Sequence, residues 1–161
     1  MYNKVRSISK QMTSVEDSKY GKALVATSHI KAGEEILTLN GEIVTEPSVY
    51  SVQISENEHV NTDGNLRFAN HKCRSANAAF DFTTVPWVLK AVRNIEPNEF
   101  ISFDYNTTEY KISSTFDCIC DSNECRGKAL GFHYLSDDEK ADMVAKGLCS
   151  PALQKLFLNE K

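Results

Sequence analysis

Short runs of apolar residues, separated by turn residues, dominate the first two thirds of the chain. These runs are rich in Val, Ile, Leu and aromatic residues and cover residues 22–27, 35–39, 50–54, 87–93 and 99–104. Runs of this length and composition predict β-strands. The body of the protein is therefore predicted to be mainly β.

Two connections between these runs resemble each other. Each begins at an isoleucine, Ile30 or Ile95, and passes through Gly33 or Asn98 before the next strand. Gly and Asn adopt positive φ at low cost, so both segments predict a tight turn. The similarity is too short to indicate a repeat architecture.

The pattern changes after residue 135, where two helices are predicted. Ser136 followed by Glu139 is a capping box, and it predicts a helix over residues 137–146 that ends at Gly147. Ser150 and Pro151 then provide an N-cap and a first helical position.

The second helix is predicted over residues 152–158. Leu153, Leu156 and Phe157 fall on one of its faces, which predicts packing onto the β body. A lid or a dimer surface is an alternative role for the two helices, but ordinary support of the C-terminal part is the favoured interpretation.

Composition and charge narrow the class of protein. The 161 residues are 41% hydrophobic and 25% charged, as in a soluble globular domain, and the net charge of −4 argues against direct nucleic-acid binding. Residues 1–13 lack the apolar block of a secretory signal, and no later segment approaches a membrane span. An intracellular protein, nuclear or cytoplasmic, with no membrane association and with reduced thiols is expected.

Three of the five cysteines, Cys118, Cys120 and Cys125, lie in the short run CICDSNEC. A C-x-C-x4-C loop supplies three corners of a tetrahedral Zn²⁺ site and leaves the fourth to a distant residue, for which Cys73 is the candidate. An odd number of cysteines fits metal ligation with one left over better than a disulfide framework. The remaining cysteine, Cys149, is expected to be a small buried or half-buried apolar residue.

Two further motifs point to a known family. Residues 67–77 read RFANHKCRSAN and residues 101–105 read ISFDY. The segment GKALVA at residues 21–26 precedes them in the chain, and the cysteine-rich run follows them. Together these four segments resemble SET-domain methyltransferases over residues 20–132.

The resemblance implies a β-clip-like fold of short sheets with a pseudoknot. It also implies a SET domain over residues 1–116, a zinc-bearing post-SET segment over 117–132 and a helical extension over 133–161, all within one globular unit. The zinc, bound by Cys73, Cys118, Cys120 and Cys125, would attach the post-SET segment to the donor pocket.

S-adenosylmethionine is the implied methyl donor. Asn70 and His71 would hold it through side-chain and backbone hydrogen bonds, and Leu130 or Phe132 would cover its adenine. The full set of expected donor contacts is Lys22, Ala23, Leu24, Arg67, Asn70, His71, Tyr105, Leu130 and Phe132.

The same resemblance assigns the chemistry to aromatic residues. Tyr105 would be the catalytic tyrosine; because a phenol has a pKa near 10, its expected work is orienting the nucleophile rather than removing a proton. Tyr50 matches a second channel tyrosine by position. Phe103 lies where the family sets the number of methyl groups, and phenylalanine there implies di- or trimethylation of a lysine.

The sequence also departs from the family pattern. Ala23 replaces the second glycine of the opening hairpin, so either the backbone there does not need positive φ or the donor's methionine end lies differently. Lys72 and Ser75 replace a small hydroxyl residue and a proline, and the segment between Tyr50 and Arg67 is short.

Three functions therefore stay open. The leading one is a protein-lysine N-methyltransferase. The alternatives are a methyltransferase of a small metabolite amine or carboxylate, and a non-catalytic SET module that binds partners. No pattern in the sequence predicts an oligomeric state.

Overall fold

The computed structural model describes residues 11–19 and 21–161. Most of the segment 1–13, for which no secretory signal was expected, and Tyr20 lie outside the described residues. The strands are β1 (Thr13–Ser18), β2 (Gly21–Ala26), β3 (Glu35–Thr38), β4 (Gly41–Val44), β5 (Ser51–Gln53), β6 (His59–Thr62), β7 (Asn70–His71), β8 (Ala78–Asp81), β9 (Val88–Ala91), β10 (Ser102–Phe103), β11 (Phe116–Asp117) and β12 (Lys128–Ala129). Short 3₁₀-helices cover Gly64–Phe68, Tyr105–Thr107 and Phe132–Tyr134. Two α-helices follow, α1 (Asp137–Ala145) and α2 (Pro151–Asn159).

The strands form several small sheets. β1 and β2 make an antiparallel hairpin, β9 lies between β3 and β8, and β6 lies between β4 and β5. β7 and β10 pair in parallel, which aligns Asn70 with Ser102 and His71 with Phe103. This parallel pair brings the two most specific sequence motifs side by side.

Each of the five predicted strands is confirmed, although most are shorter than their apolar runs. The run 99–104 keeps ladder pairing only at β10, because Phe100 forms a single bridge with Val25, and the Ile101 N–H donates to Leu24 O (2.9 Å). The sequence analysis missed the other seven strands: the two-residue strands β7, β11 and β12, and the longer strands β1, β4, β6 and β8. Each of the four longer strands has polar residues on one face, which weakens the apolar signal.

The two similar turns pack against each other. Ile30 N–H donates to Ile95 O (2.9 Å) and Ile95 N–H donates to Ile30 O (2.8 Å), so both isoleucines are fully buried in one bridge. Gly33 has φ 88° and Asn98 has φ 71°, which confirms the positive φ expected at both turns.

The main core lies between the sheets. Phe80 is its aromatic centre: its ring centroid lies 5.0 Å from that of Phe103 and 6.2 Å from that of Trp87. Phe103, which belongs to β10, therefore connects the parallel pair of strands to this core.

Both helices begin as predicted. Ser136 accepts a hydrogen bond from Glu139 N and caps α1, whereas Ser150 accepts one from Leu153 N and caps α2. Lys146 is the C-cap of α1, and Gly147 follows it at φ 67°. Each helix has nine residues, and no helix within residues 11–19 and 21–161 is long and apolar enough to span a membrane.

A second hydrophobic core forms around the helices, and it corrects the expectation that α2 packs onto the β body. Its buried members are Phe132, Met143, Cys149, Leu153 and Phe157. The apolar face of α2 meets Met143 of α1 and Phe132 in this core, which is separate from the main one. The three-part domain division stays a prediction, since this core joins residues on both sides of the boundary at 132.

Candidate active site and metal centre

The parallel pair β7 and β10 forms one wall of a cavity of about 620 Å³. The predicted site residues that line it are Tyr50, Arg67, Asn70, His71, Phe103, Tyr105, Cys118 and Cys120. Residues up to 70 positions apart in the chain thus meet around one space large enough for a small organic ligand.

Tyr105 follows β10 and lies in the cavity wall. Its hydroxyl donates to Ala69 O at 2.6 Å, and burial raises the pKa of the phenol above its ordinary value, with the charge of Glu109 adding to the shift. The phenol therefore stays neutral, with its proton held by a backbone carbonyl. Its oxygen still has lone pairs that can accept a contact from a ligand.

His71 connects Tyr105 to Cys73. Its Nδ1 accepts a hydrogen bond from Tyr105 N (3.0 Å), so the proton of the neutral ring lies on Nε2, which is 3.2 Å from Cys73 Sγ. Burial lowers the pKa of His71, in keeping with the neutral ring. The side chain is only 1% exposed although the residue as a whole is half-buried, so its backbone supplies the exposed surface.

Asn77 holds the end of β10 in place. Its Oδ1 accepts from Ser102 N (3.0 Å) and its Nδ2 donates to Phe100 O (2.7 Å). The residue is 3% exposed, so this bridge fixes β10 from inside the protein. The signature segment thereby positions the strand that leads to Tyr105.

Aromatic rings form the rest of the wall. The ring centroid of Phe103 is 4.9 Å from that of Tyr105. Tyr50 lies just before β5 and is 40% exposed, with the Arg67 guanidinium 4.4 Å above its ring. Arg67 Nε is buried and has no hydrogen-bond partner among the described residues. This unpaired donor at the cavity indicates a site for an anionic ligand group.

The four expected metal ligands meet at one end of the cavity. The sulfur atoms of Cys73, Cys118, Cys120 and Cys125 all lie within 4.8 Å of one another, and those of Cys73 and Cys118 are 3.8 Å apart. Zn–S bonds of about 2.3 Å in a tetrahedron separate the sulfurs by about 3.8 Å. The cluster therefore fits a structural Zn²⁺ with four thiolate ligands.

Backbone amides around the cluster favour thiolates. Arg126 N lies 3.5 Å from Cys73 Sγ, and Gly127 N lies 3.4 Å from Cys125 Sγ. The Gly127 contact is the main cause that lowers the pKa of Cys125 to about 7. Such N–H···S contacts are the outer hydrogen bonds that orient metal ligands.

Arg126 joins the cysteine segment to two other parts of the chain. Its guanidinium donates to Asp104 Oδ2 (2.9 Å), which precedes Tyr105, and to Glu139 Oε2 (2.8 Å) on α1. Arg74, one residue after Cys73, also pairs with Glu139 at 2.7 Å. Glu139 is thus engaged by two arginines rather than completing the predicted capping box at Ser136.

A family model described as SET domain matches residues 21–106, more than half of the 161 residues. The chain belongs to the SET-domain family.

Relatives of this SET-domain protein include named methyltransferases. It is 25% identical to methyltransferase flvH of Aspergillus flavus over 111 residues, which are 69% of this chain and 60% of that protein. It is 31% identical to histone-lysine N-methyltransferase ash1 of Drosophila melanogaster over 119 aligned positions, which cover 61% of this chain and 5% of that protein. The chain thus spans less than two thirds of these relatives.

Solved SET-domain structures share the fold. KRYPTONITE in complex with mCHG DNA and SAH superposes with a TM-score of 0.60 at 22% identity, covering 73% of this chain and 28% of that one. KRYPTONITE in complex with mCHH DNA, H3(1-15) peptide and SAH gives 0.61 at 23% identity, covering 73% and 29%.

The remaining expected donor contacts of the SET domain lie outside the cavity. Ala23 and Leu24 are fully buried in β2, and Lys22 is exposed beside Asp17 at 2.7 Å. Gly21 has φ 92° whereas Ala23 does not have positive φ, so the backbone tolerates alanine there. Of the two expected adenine covers, Leu130 is partly exposed, but Phe132 is 0% exposed in the second core. Its ring is thus not available to the cavity.

Phe116 and Glu109 are among the cavity residues that the sequence analysis did not name as site residues. The Phe116 ring centroid lies 5.9 Å from that of His71 and 6.3 Å from that of Tyr105, and Glu109 lines the same wall. Phe116 begins the cysteine-rich segment, so its position in the sequence could have indicated that it lies at the cavity. Glu109 follows two threonines, a polar context that is typical of solvent-exposed loops.

Proposed function

We propose that this SET-domain protein is an S-adenosylmethionine-dependent methyltransferase that acts on an amine nitrogen, with a protein lysine as the leading acceptor. S-adenosylmethionine supplies an electrophilic methyl group. The supporting observation is that Tyr105, Phe103, Asn70 and His71 line one cavity, because methyl transfer depends on alignment and exclusion of water rather than on a covalent intermediate.

The donor side of the proposal rests on Arg67, Asn70 and His71. Arg67 would bind the donor's carboxylate with the Nε that has no partner among the described residues. Because both ring nitrogens of His71 already have partners, we propose that this residue contacts the donor through its backbone. Asn70 lies beside it in β7 and would add an amide hydrogen bond.

The acceptor side rests on the aromatic wall. Tyr105 stays neutral, so we propose that its oxygen orients the nucleophile and the transferring methyl group. Phe103 lies against Tyr105 and would leave room for a methylated amine, which favours di- or trimethylation. Tyr50, beside Arg67, would border the channel at its exposed end.

The relatives support a lysine acceptor. One relative is named a histone-lysine N-methyltransferase, and one solved neighbour was captured with an H3 peptide. A small metabolite amine is the second candidate, because only five residues separate Gln53 at the end of β5 from His59 at the start of β6. That connection offers little surface for a long peptide.

The four-cysteine cluster is proposed to hold a structural zinc rather than a catalytic one. All four positions are cysteines, which leaves no ligand position for water. Through His71 and Arg126 the cluster contacts the residues around Tyr105, so we propose that zinc stabilises the cavity wall. The reduced thiols that such a site needs favour an intracellular location.

Labelled donor tests this function. Zinc-loaded protein is incubated with labelled S-adenosylmethionine and either total protein extract or a metabolite extract. Transfer to protein lysines supports the leading acceptor, and transfer to the metabolite fraction supports the second. Tyr105→Phe keeps the ring but removes the hydroxyl and is expected to lower the rate at least tenfold. No label in either fraction, with no binding of S-adenosylhomocysteine by calorimetry, would refute the proposal.

A further inference from the structure

Glu109 places a carboxyl group in the cavity wall that none of the roles above uses. Its N–H donates to Tyr105 O (2.9 Å), and its own carbonyl accepts from Phe132 N (2.9 Å). These bonds fix the Glu109 backbone one turn after Tyr105. Both residues line the same cavity.

The Glu109 side chain is oriented from β5. Gln53 N donates to Glu109 Oε2 at 3.1 Å, and Gln53 Oε1 in turn accepts from Tyr110 N at 2.9 Å. The Thr108 hydroxyl also hydrogen-bonds to the carboxyl group. Groups that are held in this way are preorganised for binding.

Glu109 differs from two other acidic residues of the cavity in having no cation paired with it. Glu99 pairs with Arg93 at 3.1 Å and Asp117 pairs with Lys128 at 2.9 Å. Within the part of the chain that the structure describes, no lysine, arginine or histidine forms an ion pair with Glu109.

This isolation has an energetic cost. Burial raises the pKa of Glu109 to about 7, against the opposing effect of the hydrogen bonds from Thr108 and Gln53. A half-buried carboxylate with no cationic partner is stabilised by a cation that approaches it. The cavity thus favours a positively charged ligand group next to this residue.

We propose that Glu109 binds the positively charged nitrogen of the methyl acceptor, so that the site selects ammonium-bearing molecules over neutral molecules of the same shape. The inference rests on the proposed function and names the substrate class of that site. An alkylamine with a pKa near 10.4 is an ammonium ion at neutral pH. The rings of Phe103 and Tyr105 on the same wall offer it cation–π contacts.

The test measures binding to zinc-loaded protein saturated with S-adenosylhomocysteine at pH 8, followed by NMR. The cationic probes are Nα-acetyl-L-lysine methylamide and n-pentylamine, and their neutral counterparts are Nα-acetyl-L-norleucine methylamide and 1-pentanol. Tighter binding of the lysine amide indicates a peptide acceptor, whereas tighter binding of pentylamine indicates a free amine. Both results support an ammonium site.

The variants separate charge from shape. Glu109→Gln is expected to weaken binding of the cationic probes by about 10- to 100-fold, as for loss of a charged hydrogen bond, with little effect on the neutral probes. Glu109→Asp keeps the charge and is expected to retain part of the preference. Glu42→Gln makes the same change at an exposed residue of β4 outside the cavity and should behave as wild type.

Two results would overturn the inference. One is a wild-type protein that does not distinguish cationic from neutral probes, and the other is a Glu109→Gln variant that binds the cationic probes as tightly as wild type. Binding of S-adenosylhomocysteine is measured separately in each protein. If wild type does not bind S-adenosylhomocysteine, the result counts against the proposed function. If it does bind S-adenosylhomocysteine and either result above is found, only the role of Glu109 is contradicted.

Discussion

Replacing Glu109 by glutamine is expected to change the pH dependence of stability. The pKa of this carboxyl is raised from 4.5 to about 7 in the folded protein by burial. The folded state therefore prefers the protonated form, and stability that is present below pH 4.5 is lost as the pH rises through about 7. Glutamine resembles the protonated acid and does not titrate, so the variant keeps this stability at high pH.

The size of the effect follows from the two pKa values. With a pKa of 4.5 in the unfolded chain and about 7 in the folded one, wild type loses roughly 2–3 kcal/mol of unfolding free energy relative to Glu109→Gln between pH 5 and pH 8. For a urea slope of about 2 kcal/mol per molar, the unfolding midpoints of the two proteins separate by roughly 1 M over that range.

The assay is urea unfolding of zinc-loaded wild type and variant at pH 5 and pH 8, followed by circular dichroism. At each pH, the free energy of unfolding of wild type is subtracted from that of the variant. The change in this difference between pH 5 and pH 8 is the measured quantity, since the contributions of other titrating groups cancel in it. Glu42→Gln, at an exposed position, serves as the control and should follow wild type at both pH values. If the two proteins differ in free energy of unfolding by the same amount at pH 5 and at pH 8, the reasoning is refuted.

Three further predictions concern the metal, the product and the helices. Cys73→Ser is expected to lower bound zinc by mass spectrometry and to abolish methyl transfer while far-UV circular dichroism keeps the β signal, whereas Cys149→Ala, in the second core, keeps the zinc. A strong chelator should act as Cys73→Ser does, and activity that survives either treatment would contradict the proposed role of zinc. Phe103→Tyr is expected to shift the product toward monomethyl, because its hydroxyl would retain a water that crowds a bulkier amine; an unchanged product distribution by mass spectrometry would contradict this. Phe157→Ala, 6% exposed, should lose about 3–5 kcal/mol of unfolding free energy by urea titration, against less than about 0.5 kcal/mol for Leu158→Ala, 65% exposed; similar losses in both would contradict the second core.

The sequence predicted best those features that depend on local chemistry. The N-caps Ser136 and Ser150 were predictable because a side-chain oxygen and the next turn's N–H groups are close in the chain. Cys118, Cys120 and Cys125 were predictable because their spacing is that of a metal loop. The partner of such a loop is not local, and only the surrounding motif pointed to Cys73.

Features that depend on distant packing were less predictable. Phe132 lies in the second core rather than at the cavity because α1 and α2 enclose it, and its own flanking residues give no sign of that. Glu109 has the local context of a surface residue. Its distinctive environment arises from Gln53 and Tyr105, whose positions depend on the folding of β5 and β10.

The separation of Cys73 and Cys118 along the chain has a consequence for synthesis of the protein. The two residues are 45 positions apart, so at 5–20 residues per second a ribosome needs roughly 2–9 s to make the intervening chain. During that time the nascent β7 segment, with His71 and Cys73, has none of its three partner thiols. The cavity wall can therefore be completed only after Cys125 has been made, and under the proposed role of zinc, the zinc supply at that moment would govern how many new chains reach the finished fold.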